Sequence, residues 1–127
     1  TYSDQLEGLE YLLISLPEVD FHVAAPTNVS DYLRSFERFK NFQLYEYCQS
    51  REVSDRILEM ADFYLDINHW NEVDDIIGRA LERGKPIFAF ENVVHRKNEE
   101  IHVFSLKDED KMVATIRHQL KVDRNGE

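Results

Sequence analysis

The stretch Asn68-His69-Trp70-Asn71-Glu72 gathers two amides, an imidazole, an indole and a carboxylate into consecutive positions. It stands just ahead of the most clearly periodic helix pattern in the chain. A helix start offers unpaired N–H groups and partial positive charge, which suits phosphate. Asn68 and Asn71 are equally suited to capping that helix. Glu72 in a first turn would favour the helix dipole and would also compete with a bound anion. Trp70 is the only tryptophan, and its place in a strand-to-helix loop suits stacking on a base, a sugar or a partner surface. A second polar loop, residues 91–100, puts Asn92, His95, Arg96 and Lys97 after an apolar strand. It fits either an anionic group or a solvated turn. Thr27 and Asn28 follow the first strand and fit a sugar, a backbone or simply a turn.

Other chemistries find little support. The five histidines, His22, His69, His95, His102 and His118, make no metal-ligand spacing with one another, and Cys48 is the single cysteine. No metal site or disulfide framework is therefore expected, and a reducing compartment is the simpler setting. Cys48 reads as a structural thiol. Only four glycines occur, so there is no glycine-rich phosphate loop. The 127 residues carry 15 Lys plus Arg against 25 Asp plus Glu, a formal charge of -10, which repels nucleic acid and anionic membrane surfaces. No apolar run approaches the roughly 20 residues of a membrane span. Nothing at the start resembles a signal peptide.

The elements that must position these loops alternate. A helix is predicted over 4–16, with Leu6, Leu9, Leu13 and Leu16 on one face and Pro17 ending it. Strands are predicted over 19–25, 42–47, 63–67, 87–90 and 101–104. Ser30 and Ser50 are placed to cap the next two helices, the second with Val53, Ile57 and Met60 inward. The helix over 72–83 sets Val73, Ile76, Ile77, Ala80 and Leu81 at helical spacing, with Gly84 as its stop. A last helix spans 108–120, leaving 122–127 as a tail to one domain over 1–121. Strands separated by helices predict an α/β fold, a Rossmann-like parallel sheet with helices on both faces. In such a sheet ligands sit beyond the carboxyl ends of the strands. A sheet of this kind normally opens with a strand, and none precedes the first helix. With Thr1 in place of Met, this leads us to expect a piece of a longer protein.

The run Phe63–Phe90, with Ala80, Gly84 and Pro86 leading into Ile87-Phe88-Ala89, resembles the nucleotide-sugar half of two-domain (GT-B) glycosyltransferases. Across nearly the whole chain the likeness is closer to one branch. That branch is the glycosyltransferase pair of the accessory Sec system, which places N-acetylglucosamine on serine-rich adhesins. Ser3-Asp4-Gln5-Leu6-Glu7 with Leu9-Glu10, the run Phe21–Ala25, and Leu65-Asp66-Ile67-Asn68-His69 with Asn71-Glu72-Val73 are similar to its stabilising, substrate-binding subunit. The resemblance implies a GT-B carboxyl-terminal half and a cytoplasmic protein, at most peripheral to the inner face of the membrane. Its implied partners are a catalytic subunit and a serine-rich acceptor. It implies no resident cofactor beyond a UDP-sugar ligand.

One departure matters. Active retaining enzymes of this architecture carry two glutamates eight positions apart that contact the donor. Here the matching residues are Asn71 and Arg79. A guanidinium has no acceptor for ribose hydroxyls, and Glu72, one position off, is turned by about 100° on a helix. Two functional readings follow. One is the noncatalytic stabilising domain, which presents acceptor Ser/Thr residues for O-linked glycosylation. The other is a donor-binding domain in which Asn68, His69, Asn71 and Glu72 contact the nucleotide, with His95 or Arg96 neutralising its charge. A response-regulator-like interaction domain is disfavoured, because Asp66 lies inside its strand and no acidic pair follows the first strand.

Overall fold

The computed structural model describes residues 6–69 and 72–124. The helices are α1 (Leu9–Ser15), α2 (Asp31–Arg34, continued by a 3-10 turn to Arg38), α3 (Arg51–Met60), α4 (Ile76–Glu82) and α5 (Glu109–Arg124). The strands are β1 (Phe21–Ala24), β2 (Phe42–Tyr45), β3 (Tyr64–Asp66), β4 (Ile87–Phe90) and β5 (Ile101–Phe104). Ser30 and Ser50 cap α2 and α3 as expected, each hydroxyl accepting the N–H three residues on.

All strand pairings are parallel: β1 with β2, β3 with β4, and β4 with β5. Every residue of β4 is buried, and its alternate side chains serve two cores. Phe88 and Phe90 join Leu9, Leu12, Leu13 and Leu16 around α1 and Met112, Val113 and Ile116 of α5. Ile87 and Ala89 join Leu58 of α3 and Ile77 and Ala80 of α4. Helices therefore cover both faces, which is why β4 reads as an unbroken apolar run.

The sheet differs from expectation in one respect. It falls into two parts, β1-β2 and β3-β4-β5. The parts face each other, since the Phe21 and Phe63 rings meet edge-on with centroids 6.4 Å apart, but no described strand pairs between them. The inward face expected for α3 is also only partly covered. Leu58 is buried, whereas Val53 is 39% and Met60 67% exposed.

Three helix boundaries move. Ahead of α1, Leu6 forms an antiparallel bridge with Asn68, and Gly8 turns the chain at φ 69°. A Cβ on Gly8 would lie 3.0 Å from the Phe90 ring, so glycine is required on two counts. The helix expected from Glu72 begins only at Ile76, because Asp74 and Asp75 both adopt left-handed backbone (φ 52° and 55°). At the other end, α5 continues to Arg124, beyond the expected stop at Leu120.

Asn41 fastens the first half together. Its side-chain amide lies 3.1 Å from each of the Leu13, Leu16 and Val19 carbonyls. Its own carbonyl accepts the Phe21 N–H at 2.7 Å. One buried residue thus closes α1, the turn after it and the start of β1.

Candidate functional site

The carboxyl ends of β3 and β4 meet the chain entering α1. Glu7 stands at the centre of this meeting. Its Oε1 lies 2.8 Å from His69 Nε2 and accepts the Asn92 amide at 3.2 Å. Its N–H donates to the Ile67 carbonyl at 2.8 Å. His69 and Asn92 are thereby drawn around one carboxylate that the residue pattern alone did not single out as a site residue.

A second knot lies beside it. Asp66, only 2% exposed, accepts the His95 amide N–H through Oδ2 at 2.8 Å. Its Oδ1 is 2.6 Å from His95 Nδ1. The carboxylate is the acceptor here, which places the imidazole proton on Nδ1. A carboxylate inside an apolar strand enters the interior only with a committed partner. That rule was the available clue to Asp66, although the strand pattern could not say which residue would meet it.

Glu72 acts differently from expectation. It lies outside α4 and folds over the start of that helix. Its Oε2 accepts the Ile77 N–H at 3.1 Å and Arg96 Nη2 at 2.7 Å, while Oε1 accepts Arg96 Nε at 2.9 Å. Arg96 also reaches Asp75. The Asp75 carboxylate bends back over the first turn so closely that a Cβ on Gly78 would sit 2.5 Å from one of its oxygens. Among the described residues, then, the α4 start carries two carboxylates of its own, and Arg96 is already bound to both. The expected anion setting is filled from within.

The local field is acidic. The Tyr64 phenol is pushed well above its ordinary value, by burial first and then by the Asp66 and Glu72 carboxylates. An added diphosphate would enter against those same charges.

Arg79, which the resemblance matches to the second donor glutamate, is 3% exposed. Its Nε donates to the Asp74 carbonyl at 3.1 Å, and its Nη1 pairs with Asp55 of α3. The hydrogen bond from Arg79 holds the Asp55 carboxyl below its usual range, against the effect of burial. Arg79 therefore ties α3 to α4 and offers nothing to a ligand. Trp70 and Asn71 lie outside the described residues. Among the described residues, no group of three or more His, Cys, Asp or Glu is placed to hold a metal ion. None of the described helices is long and apolar enough to cross a membrane.

The profile of the GftB/GlyA-F C-terminal domain family matches residues 1–126. The glycosyltransferase GlyB of Streptococcus pneumoniae is 40% identical over 117 residues, which cover 92% of this chain and 29% of GlyB. The UDP-N-acetylglucosamine–peptide N-acetylglucosaminyltransferase stabilizing protein GtfB of Streptococcus agalactiae is 47% identical over 97 residues, covering 76% of this chain and 22% of that protein. Among solved structures, the GtfA/B complex bound to UDP and GlcNAc is similar, with a TM-score of 0.81 at 32% identity over 93% of this chain and 27% of the matched one. The chain thus spans less than a third of the length of these relatives.

Proposed function

The chain belongs to the GftB/GlyA-F C-terminal domain family, and from that membership we propose that it is the carboxyl-terminal domain of a noncatalytic stabilising subunit in a protein O-N-acetylglucosaminyltransferase pair. Its partner in this reading is a catalytic glycosyltransferase subunit, its acceptor a serine-rich protein, and its setting the cytoplasm, at most peripheral to the inner face of the membrane. The recognition patch is the Glu7, His69 and Asn92 cluster together with Asn68, Glu72 and His95, and the reading assigns Trp70 and Asn71 to it from their place in the sequence.

One observation carries the reading. The α4 start, where a donor diphosphate would be held, is filled by Glu72 and Asp75 with Arg96 bound to both. The buried, structural role of Arg79 supports it, because the position of the donor-contacting acid has been given over to holding two helices together. Relatives named as stabilising proteins agree with this reading.

A second reading, a donor-binding domain of an active glycosyltransferase, is favoured by the relative named GlyB. Titration calorimetry separates the two. The first expects no saturable heat with UDP or UDP-N-acetylglucosamine and measurable binding to a catalytic subunit. Saturable UDP binding that weakens on Asn71→Ala would replace it with the second.

A further inference from the structure

His69 and Asn92 follow the carboxyl ends of successive strands, β3 and β4, where an open parallel sheet receives its ligands. Glu7 is held against them by its own backbone. Its N–H donates to the Ile67 carbonyl at 2.8 Å, Leu6 bridges Asn68, and Gly8 turns the chain away at φ 69°. The carboxylate is thus positioned before its side-chain partners are counted. Partly exposed pairs of this kind add little to stability. What the arrangement does fix is the hydrogen-bonding character of the groups around it.

An ionised carboxylate only accepts. With Glu7 Oε1 2.8 Å from Nε2, the neutral His69 ring carries its proton on Nε2, and Nδ1 is a lone-pair acceptor. Asn92 is oriented by the same oxygen. Its amide nitrogen donates to Oε1 at 3.2 Å, which leaves Oδ1 as a second acceptor. Among the described residues no donor is bonded to either of these atoms. The His69 side chain is 35% exposed, so a ligand can reach it. His95 is held the other way, with Nδ1 on Asp66. The two carboxylates therefore fix opposite tautomers in the two histidines of the patch.

We propose that Glu7 locks His69 so that Nδ1, together with Asn92 Oδ1, accepts hydrogen bonds from a ligand hydroxyl, which makes the patch a reader of hydroxyl groups and not of anions. The inference rests on the acceptor-recognition reading above and supplies its chemistry. The hydroxyl belongs to a Ser/Thr side chain of the acceptor or to a sugar already attached to it, and both donate to a neutral imidazole in the same way. An ionised phosphate has no hydrogen to give, and it would meet the Glu7 charge.

Two measurements on the full-length protein at pH 8 test this. Nitrogen-15 NMR of the His69 ring reads the tautomer with no ligand present. A proton on Nε2 alone is expected, and a proton on Nδ1 or on both nitrogens overturns the proposal. The second measurement uses His69→Gln, which keeps an N–H for Glu7 and removes the outward acceptor. The probes are a fluorescent serine-rich peptide, its alanine counterpart, and the serine peptide carrying O-linked N-acetylglucosamine, each followed by anisotropy. The variant is expected to bind a hydroxyl-bearing peptide about fivefold to tenfold more weakly and the alanine peptide as the parent does. A loss already seen with the bare serine peptide assigns the hydroxyl to serine; a loss confined to the glycosylated peptide assigns it to the sugar. Unchanged binding of all three peptides overturns the proposal. Equal weakening of all three also overturns it, because His69 would then act through structure alone. A parent that binds none of them overturns the acceptor-recognition reading as well, whereas a wrong tautomer overturns this inference by itself.

Discussion

Removing the Asn41 amide is expected to loosen the half of the molecule that carries Glu7. The residue is buried, and its side chain addresses three carbonyls at 3.1 Å. An amide has two hydrogens, so it makes at most two well-aligned bonds at once. Leu16 O also accepts the Val19 N–H at 3.0 Å and is the least dependent of the three. Asn41→Leu keeps the volume and deletes the donors. Losing two bonds and leaving buried acceptors unmatched costs about 2–4 kcal/mol. For a chain of this size each kcal/mol moves Tm by roughly 4 °C, so a fall of about 8–16 °C is expected in thermal unfolding followed by circular dichroism. Asn41→Asp sharpens the test. A carboxylate there faces three carbonyls and is destabilising at neutral pH. Its pKa is pushed up in the folded state, so the damage is present above that raised value and is partly relieved as pH falls and an O–H donor appears. A Tm within about 3 °C of the parent for Asn41→Leu, or an Asp variant with no such pH response, refutes the assignment.

Three further predictions address the site. Arg79→Glu, which puts an acid at the position that the resemblance matches to a donor glutamate, is expected to lower Tm sharply and to yield no UDP binding. It would set a carboxylate against Asp55 and Asp74 in a buried position. The Asp55 pKa is depressed in the folded state. The stability this contributes is fully present above the unfolded carboxylate value and is lost as pH falls through the lower folded value. Acid titrations of Arg79→Met should therefore show a shallower loss of stability below about pH 4 than the parent. Glu72→Gln removes the charge over the α4 start while keeping an acceptor for the Ile77 N–H. Only a small fall in Tm is expected, and if the internal carboxylate is what excludes diphosphate, weak UDP heat should appear in calorimetry where the parent shows none.

Much of the architecture is local and was legible in the residues. Ser30 and Ser50 cap their helices because a hydroxyl three residues ahead of an orphan N–H needs no distant partner. β4 and β5 begin and end where the apolar runs do. A helix between successive strands supplies the crossover that parallel neighbours need, which made the β1-β2 and β3-β4 pairings legible, whereas β4 and β5 are joined by a loop and their parallel pairing was not. The site was legible only as a set of loops. Sequence order put His69 and Asn92 after successive strands, but it held nothing to say that both would turn to Glu7, which comes from the other end of the chain.

The late start of α4 follows from the left-handed Asp74 and Asp75, which a periodic apolar pattern cannot report. The burial of Arg79 depends on Asp55 arriving from α3, which the residues around Arg79 cannot report. The residues by themselves determined which faces are apolar and which ends are capped, because those properties depend on neighbours within a turn or two. Tertiary structure alone decided which carboxylates meet which cations, and that the apolar side of α3 looks into a cleft between two strand edges. Both depend on where distant parts of the chain come to rest.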